Sequence, residues 1–192
     1  MEKRDDNNAG PFAIPLRADY RVFDKNTQNL IEKLKKALIS KPRPKSLSRQ
    51  VVTPGIRVFF HGQRGTGKAF AASILGKHTG KDVYRIDLSE IVTKYIGETE
   101  KNLSALFENA ENKDWILFFD EADALFGKRT SVRDAHDKYA NQEILYLLQL
   151  IDSFRGPVIF SAGIKSAVPD EIIRRCSYEI HFPGSGSREK KL

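Results

Sequence analysis

Cysteine is almost missing from this chain: Cys176 is the only one in 192 residues, so no internal disulfide can form. Long apolar runs are missing too. No stretch approaches the ~20 consecutive apolar residues that a membrane-spanning helix needs, so no membrane span is expected. The first ten residues, MEKRDDNNAG, contain acids and no apolar run, and read as neither a secretory signal nor a transit peptide. These absences suit a protein of the reducing cytoplasm, which is the expected location. The four histidines have no metal-ligand spacing, and no nucleophile–base arrangement suggests covalent catalysis. Internal repeats and low-complexity tracts are also lacking.

What is present is a soluble globular balance, with 40% hydrophobic and 30% charged residues. The net charge of +7 is unevenly spread. Residues 1–50 hold 12 Lys/Arg against 6 Asp/Glu, and residues 184–192 hold 3 against 1, while 51–183 hold 17 against 18. The basic excess therefore belongs to the flanks. A uniformly basic domain would suggest nucleic acid as the main partner; a neutral domain with basic tails makes that the weaker reading.

Residues 1–26 read as a flexible N-terminal segment, its first 18 residues clustering Asn, Gly and Pro with little apolar content. Leu30, Ile31, Leu34, Leu38 and Ile39 recur at helical spacing, so 27–50 reads as an amphipathic helix followed by a Pro- and Lys-rich linker. From Val51 the rhythm is strand, loop, helix. Strands are expected at 56–62, 82–88, 115–121, 157–163 and 177–182. Helices are expected at 66–77, 89–95, 98–111, 137–154 and 169–176. The nearly continuous apolar stretches of the first, third and fourth strands mark strands buried on both faces of a mostly parallel sheet. Residues 51–183 are thus one domain, and 184–192 a flexible tail.

The stretch HGQRGTGKAF leaves the first of these strands and opens a helix. It reads Gly62, four residues, Gly67, Lys68, the pattern of a phosphate-binding P-loop in its proper context. Glycines let successive backbone N–H groups turn inward, and these together with a helix N-terminus form an anion site. Lys68 would place its charge on the β- and γ-phosphates of ATP. Gly62, Gln63, Arg64, Gly65, Thr66, Gly67, Lys68, Ala69 and Phe70 are the expected nucleotide-binding residues. The pattern departs at Ala69, where a Ser or Thr hydroxyl normally ligates Mg²⁺. A hydrogen bond to a charged group is worth about 1.5–3 kcal/mol, so its loss costs roughly 10- to 100-fold in metal-dependent function.

Further on, WILFFDEADALFGKR sets Asp120 and Glu121 at the C-terminal end of an apolar strand, the edge at which open parallel sheets bind ligands. Asp120 is the candidate Mg²⁺ ligand, and Glu121 the candidate base that orients the attacking water.

With these residues in place, the chain resembles the AAA family of ATPases over about residues 20–183. The stretches DLSEIVTKYIGETEKNL, ILFFDEADALFGKRTSVRDAHDKYANQE and the IRR before the last strand are most similar to a bacterial branch. The resemblance implies an α/β fold of P-loop NTPase type, a three-layer sandwich around a five-stranded parallel sheet. It implies self-association into a ring, usually a hexamer, with ATP hydrolysed between subunits to remodel protein partners. Tyr95, Ile96 and Gly97 fall where the family has an aromatic pore loop that grips substrate, and 129–137 resembles a second channel-facing loop. Arg174 and Arg175 match the arginine fingers that reach a neighbour's site. The bland alternatives are packing for Tyr95 and a solvated helix end for the two arginines.

Two further departures accompany Ala69. The family usually has an Asn where this chain has Gly163, and after HFP the family continues into a helical lid where this chain reads GSGSREKKL. Three functions follow as expectations. One is an ATP- and Mg²⁺-binding ring ATPase with weakened hydrolysis. The second is a non-hydrolysing nucleotide-held scaffold, and the least favoured is a nucleic-acid-associated protein acting through basic tails.

Overall fold

A computed structural model describes residues 13–16, 23, 25–39, 55–87, 99–123 and 135–184, with side chains described from 100 and 144 onward in the last two segments. The elements run β1 (Ala13–Pro15), α1 (Lys25–Ile39), β2 (Arg57–His61), α2 (Lys68–Thr79), β3 (Val83–Asp87), α3 (Thr99–Asn112), β4 (Ile116–Asp120), α4 (Ala135–Ser153), β5 (Val158–Ala162), a 3₁₀ turn (Lys165–Ala167), α5 (Asp170–Arg174) and β6 (Tyr178–His181). All five expected strands are present, each slightly shorter than its apolar run.

The sheet order is β1-β3-β4-β5-β2-β6. Strands β3, β4, β5, β2 and β6 are parallel, with Asp87 opposite Asp120 and Phe60 opposite both Ser161 and Ile180. The sheet has one strand more than the five expected. Ala13–Pro15, within the segment read as flexible, pairs antiparallel with β3, and Leu16 N–H donates to Val83 O at 2.8 Å. An outer edge suits Pro15, which has no N–H to give to a second neighbour.

Alternation along the strands builds two cores. On one face Phe59, Tyr84, Ile86, Leu117, Phe119 and Phe160 pack with Leu103, Leu106 and Phe107 of α3 and Leu147 and Ile151 of α4. On the other, Val58, Phe60, Phe118 and Ile159 pack with Ile31 and Leu34 of α1 and Ala71, Ala72 and Leu75 of α2. The result is a three-layer sandwich in which both strand faces are apolar, as the continuous runs require. Trp115 is core, stacking against Tyr84 with centroids 3.9 Å apart. The expected helix at 89–95 lies outside the described residues. No helix is long and apolar enough to cross a membrane among the described residues.

Arg57 is an unexpected member of the buried set, 4% exposed. Its guanidinium donates to the carbonyls of Ile151, Phe154 and Gly156 at and beyond the end of α4. Those carbonyls have no intrahelical partners and carry the negative end of the helix dipole. Burial lowers the Arg57 pKa to about 10, so the group stays charged at neutral pH and ties α4 to the sheet.

Candidate functional site

The loop between β2 and α2 is shaped by its glycines. Gly62, Gly65 and Gly67 have φ of 141°, 76° and 100°, a region that side-chain-bearing residues rarely enter. Gly62 is the most constrained, because a Cβ there would lie 2.1 Å from the carbonyl oxygen of Phe182. Gly62 N–H donates to Ala162 O at 3.2 Å, which anchors the loop to β5. Thr66 Oγ1 donates to Gln63 O at 2.8 Å. Lys68 Nζ turns back under the loop and donates to Gly62 O at 2.6 Å and Gln63 O at 2.9 Å. Its pKa is held below the ordinary lysine value, chiefly by burial, with Asp120 and Asp123 opposing that shift.

The acids stand at the ends of the neighbouring strands. Asp120 Oδ2 accepts from Arg85 Nε at 2.9 Å, and Asp120 Oδ1 accepts from the backbone N–H of Glu121 at 3.1 Å. Glu121 sits in the left-handed region with φ 56°, an uncommon conformation for a non-glycine residue and one that recurs at functional sites. Its carboxylate pairs with the Arg64 guanidinium at 2.8 Å. Asp123 Oδ2 accepts from the N–H groups of both Gly163 and Ile164, at 3.0 and 3.2 Å.

These groups border one cavity of about 390 Å³. From the loop and helix α2 it takes Arg64, Gly65, Gly67, Lys68, Ala69 and Phe70, and from the strand ends Arg85, Asp120, Glu121, Asp123, Ser161 and Gly163. The remaining expected loop residues, Gly62, Gln63 and Thr66, support the cradle from behind. Arg174 and Arg175 do not border the cavity. Arg175 pairs within its own chain, with Glu171 at 3.0 Å and Asp152 at 3.2 Å, whereas Arg174 is exposed and has no ion pair among the described residues. Tyr95, Ile96 and Gly97 and the stretch 129–134 lie outside the described residues, as do residues 1–12, 17–22, 24, 40–50 and 185–192 of the basic flanks.

Sequence reasoning missed Arg85, Asp123 and Ser161. The available signal was a polar residue inside each apolar strand, VYRID and VIFSA, and a third acid in DEAD.

Three comparisons bear on this arrangement. Residues 58–184 match the family model described as "ATPase family associated with various cellular activities (AAA)". The chain belongs to the AAA family. It is 31% identical over 184 residues to proteasome-activating nucleotidase 2 of Halobacterium salinarum, covering 91% of this chain and 44% of that protein. It is 30% identical over 155 residues to the 26S proteasome regulatory subunit 6B homolog of Dictyostelium discoideum, covering 77% and 38%. The chain thus spans less than half the length of these curated relatives, which are archaeal and eukaryotic. The crystal structure of the FIGL-1 AAA domain superposes with a TM-score of 0.60 at 21% identity, over 85% of this chain and 62% of that one. At that identity the likeness speaks for the fold alone.

The site fits a nucleotide with its cation. Asp120 is an oxygen donor at the cavity, and Mg²⁺ typically takes one or two carboxylates plus substrate phosphates rather than an all-protein cage. One buried hydroxyl at the cavity, Ser161 Oγ, has no hydrogen-bond partner among the described residues.

Proposed function

We propose that this chain is an ATP-binding AAA module with weakened hydrolysis, one that associates with further copies in a ring and acts on protein partners. The observation that carries the reading is the Lys68 ammonium. It is held beneath three left-handed glycines, at the sheet edge where Asp120 and Glu121 border the same cavity. Such a cradle binds phosphate through backbone N–H groups, a helix N-terminus and one fixed cation. On binding, Lys68 would exchange its two carbonyl contacts for phosphate oxygens. Asp120 would hold Mg²⁺, which would supply charge neutralisation for the nucleotide's phosphates.

Weakened hydrolysis rests on four features of the same site. Ala69 brings no hydroxyl, and Gly163 brings no side chain to place water. Glu121 is paired with Arg64, and Asp120 with Arg85. Ring assembly and action on proteins rest on family membership and on relatives named as a proteasome-activating nucleotidase and a 26S proteasome regulatory subunit. Arg174, exposed on α5, is the arginine better placed to serve a neighbouring subunit, since Arg175 is engaged at home. The pore-loop role of Tyr95, Ile96 and Gly97, the likeness to a bacterial branch and a hexameric ring are part of the same reading and rest on the quoted sequence stretches.

The test is a fluorescence titration of the full chain with ATP, with and without Mg²⁺. Saturable binding is expected, weakened about 10- to 100-fold by Lys68→Ala through loss of a charge-assisted contact. Binding unaffected by Lys68→Ala, or no binding at all, overturns the proposal.

A further inference from the structure

Ser161 is the penultimate residue of β5, completely buried, and its Oγ is the one buried side-chain N or O atom with no hydrogen-bond partner among the described residues. A buried hydroxyl without a partner is costly and calls for an explanation. Its place in the fold supplies one. Side chains two apart on a strand share a face. Ser161 follows Ile159 by two and Asp120 follows Phe118 by two, and both Ile159 and Phe118 pack on the α2 side of the sheet. Ser161 and Asp120 therefore stand on the same face of adjoining strands, at the same end, under the start of α2. Ala69 packs against that same apolar cluster, and all three residues border the same cavity. The position that lacks its hydroxyl and the hydroxyl that lacks its partner thus meet at one site.

We infer that Ser161 supplies, from the sheet, the hydroxyl that position 69 does not: when nucleotide and Mg²⁺ are bound, Ser161 Oγ serves the cation's oxygen shell alongside Asp120. The inference rests on the ATP-binding reading above. It assigns Ser161 as a ligand-side residue that no P-loop pattern would select, and it makes the loss at Ala69 a partly compensated one.

The experiment measures the affinity of the full chain for ATP in Mg²⁺ and in EDTA, for wild type, Ser161→Ala, Ala69→Thr and the double variant. Thermal midpoints of the ligand-free proteins are read in parallel. Ser161→Ala should reduce the Mg²⁺-dependent gain in affinity about ten-fold, the scale of a hydrogen bond to a charged group. It should leave the EDTA affinity unchanged and the midpoint equal or higher. Ala69→Thr in the Ser161→Ala background should restore the gain. An unchanged Mg²⁺ gain, an equal loss in Mg²⁺ and EDTA, or a lowered midpoint without a change in the Mg²⁺ gain would each overturn the assignment, the last because the hydroxyl then serves the fold. Wild type that binds no ATP under either condition fails the underlying reading instead, so the two failures are distinguishable.

Discussion

The two halves of the cavity are built differently. On the α2 side the cradle is complete: three glycines in the left-handed region, a helix N-terminus and Lys68 directed into the loop. On the strand-end side the three acids are all engaged, and only the Ser161 hydroxyl is left without a partner among the described residues. Glu121 and Asp120 are in ion pairs, Asp123 accepts from the N–H groups of Gly163 and Ile164, and position 163 has no side chain. Under the proposed function, the contrast teaches that holding a nucleotide and cleaving it rest on separable residues of one pocket.

The comparison breaks most severely at Gly62. Gly62→Ala combines a left-handed φ with a Cβ 2.1 Å from Phe182 O. Backbone strain and overpacking each cost about 1–3 kcal/mol, so a loss of roughly 2–5 kcal/mol is expected in urea unfolding. A loss under about 1 kcal/mol would mean that the cradle is not held rigidly by β6 and its exit.

Restoring the residues that cleavage lacks should have the next largest effect. Ala69→Thr is expected to raise Mg²⁺-dependent phosphate release about ten-fold, the lower end of what such a hydroxyl is worth, because Ser161 compensates in part. Adding Gly163→Asn should contribute less than its chemistry suggests, because a Cβ at Gly163 comes 3.1 Å from Asp123 Oδ2 and must displace it. Steady-state release by the single and double variants checks both statements.

Arg64→Ala sharpens the comparison more gently. The pair it forms with Glu121 is largely solvent-exposed on the arginine side, and exposed pairs are worth at most about 1 kcal/mol. Freeing Glu121 can therefore raise turnover about five-fold at most. A much larger rise would mean that Arg64 also obstructs the nucleotide.

The smallest effect concerns His61, just before the loop. Burial holds its pKa below the ordinary histidine value; Glu179 opposes this, while His181 and Lys165 reinforce it. Its Nε2 lies 2.9 Å from Glu179 Oε1, and its ring stacks on His181. Between the lowered folded pKa and about 6.5 the unfolded chain binds more protons, so stability falls as pH drops through that window. Urea midpoints from pH 8 to pH 5 should decline more for wild type than for His61→Gln.

Most of this architecture was legible in the sequence, because apolar strands buried on both faces and a glycine-rich loop before a helix leave strong local patterns. That Lys68, Asp120 and Glu121 border one cavity could be read ahead because each is tied to a position within a motif. What escaped notice depends on pairing across the sheet. Arg85 meets Asp120 only through the register of β3 on β4, and Asp123 meets Gly163 only across the strand ends. A buried serine in an apolar strand reads as filler until its hydroxyl is seen to have no partner. The edge strand at Ala13–Pro15 was missed because three residues carry too little periodicity to be read.

The central claim, a complete cradle beside an impaired cleavage half, is tested most directly by Mg-ATP turnover at saturating nucleotide. It would be measured across a range of protein concentrations, beside Lys68→Ala and Glu121→Gln. The account expects wild type to bind ATP and yet release phosphate within about ten-fold of Glu121→Gln. Turnover far above that control, rising per subunit as protein concentration increases, would contradict it and make this chain a fully working ATPase that tolerates Ala69 and Gly163.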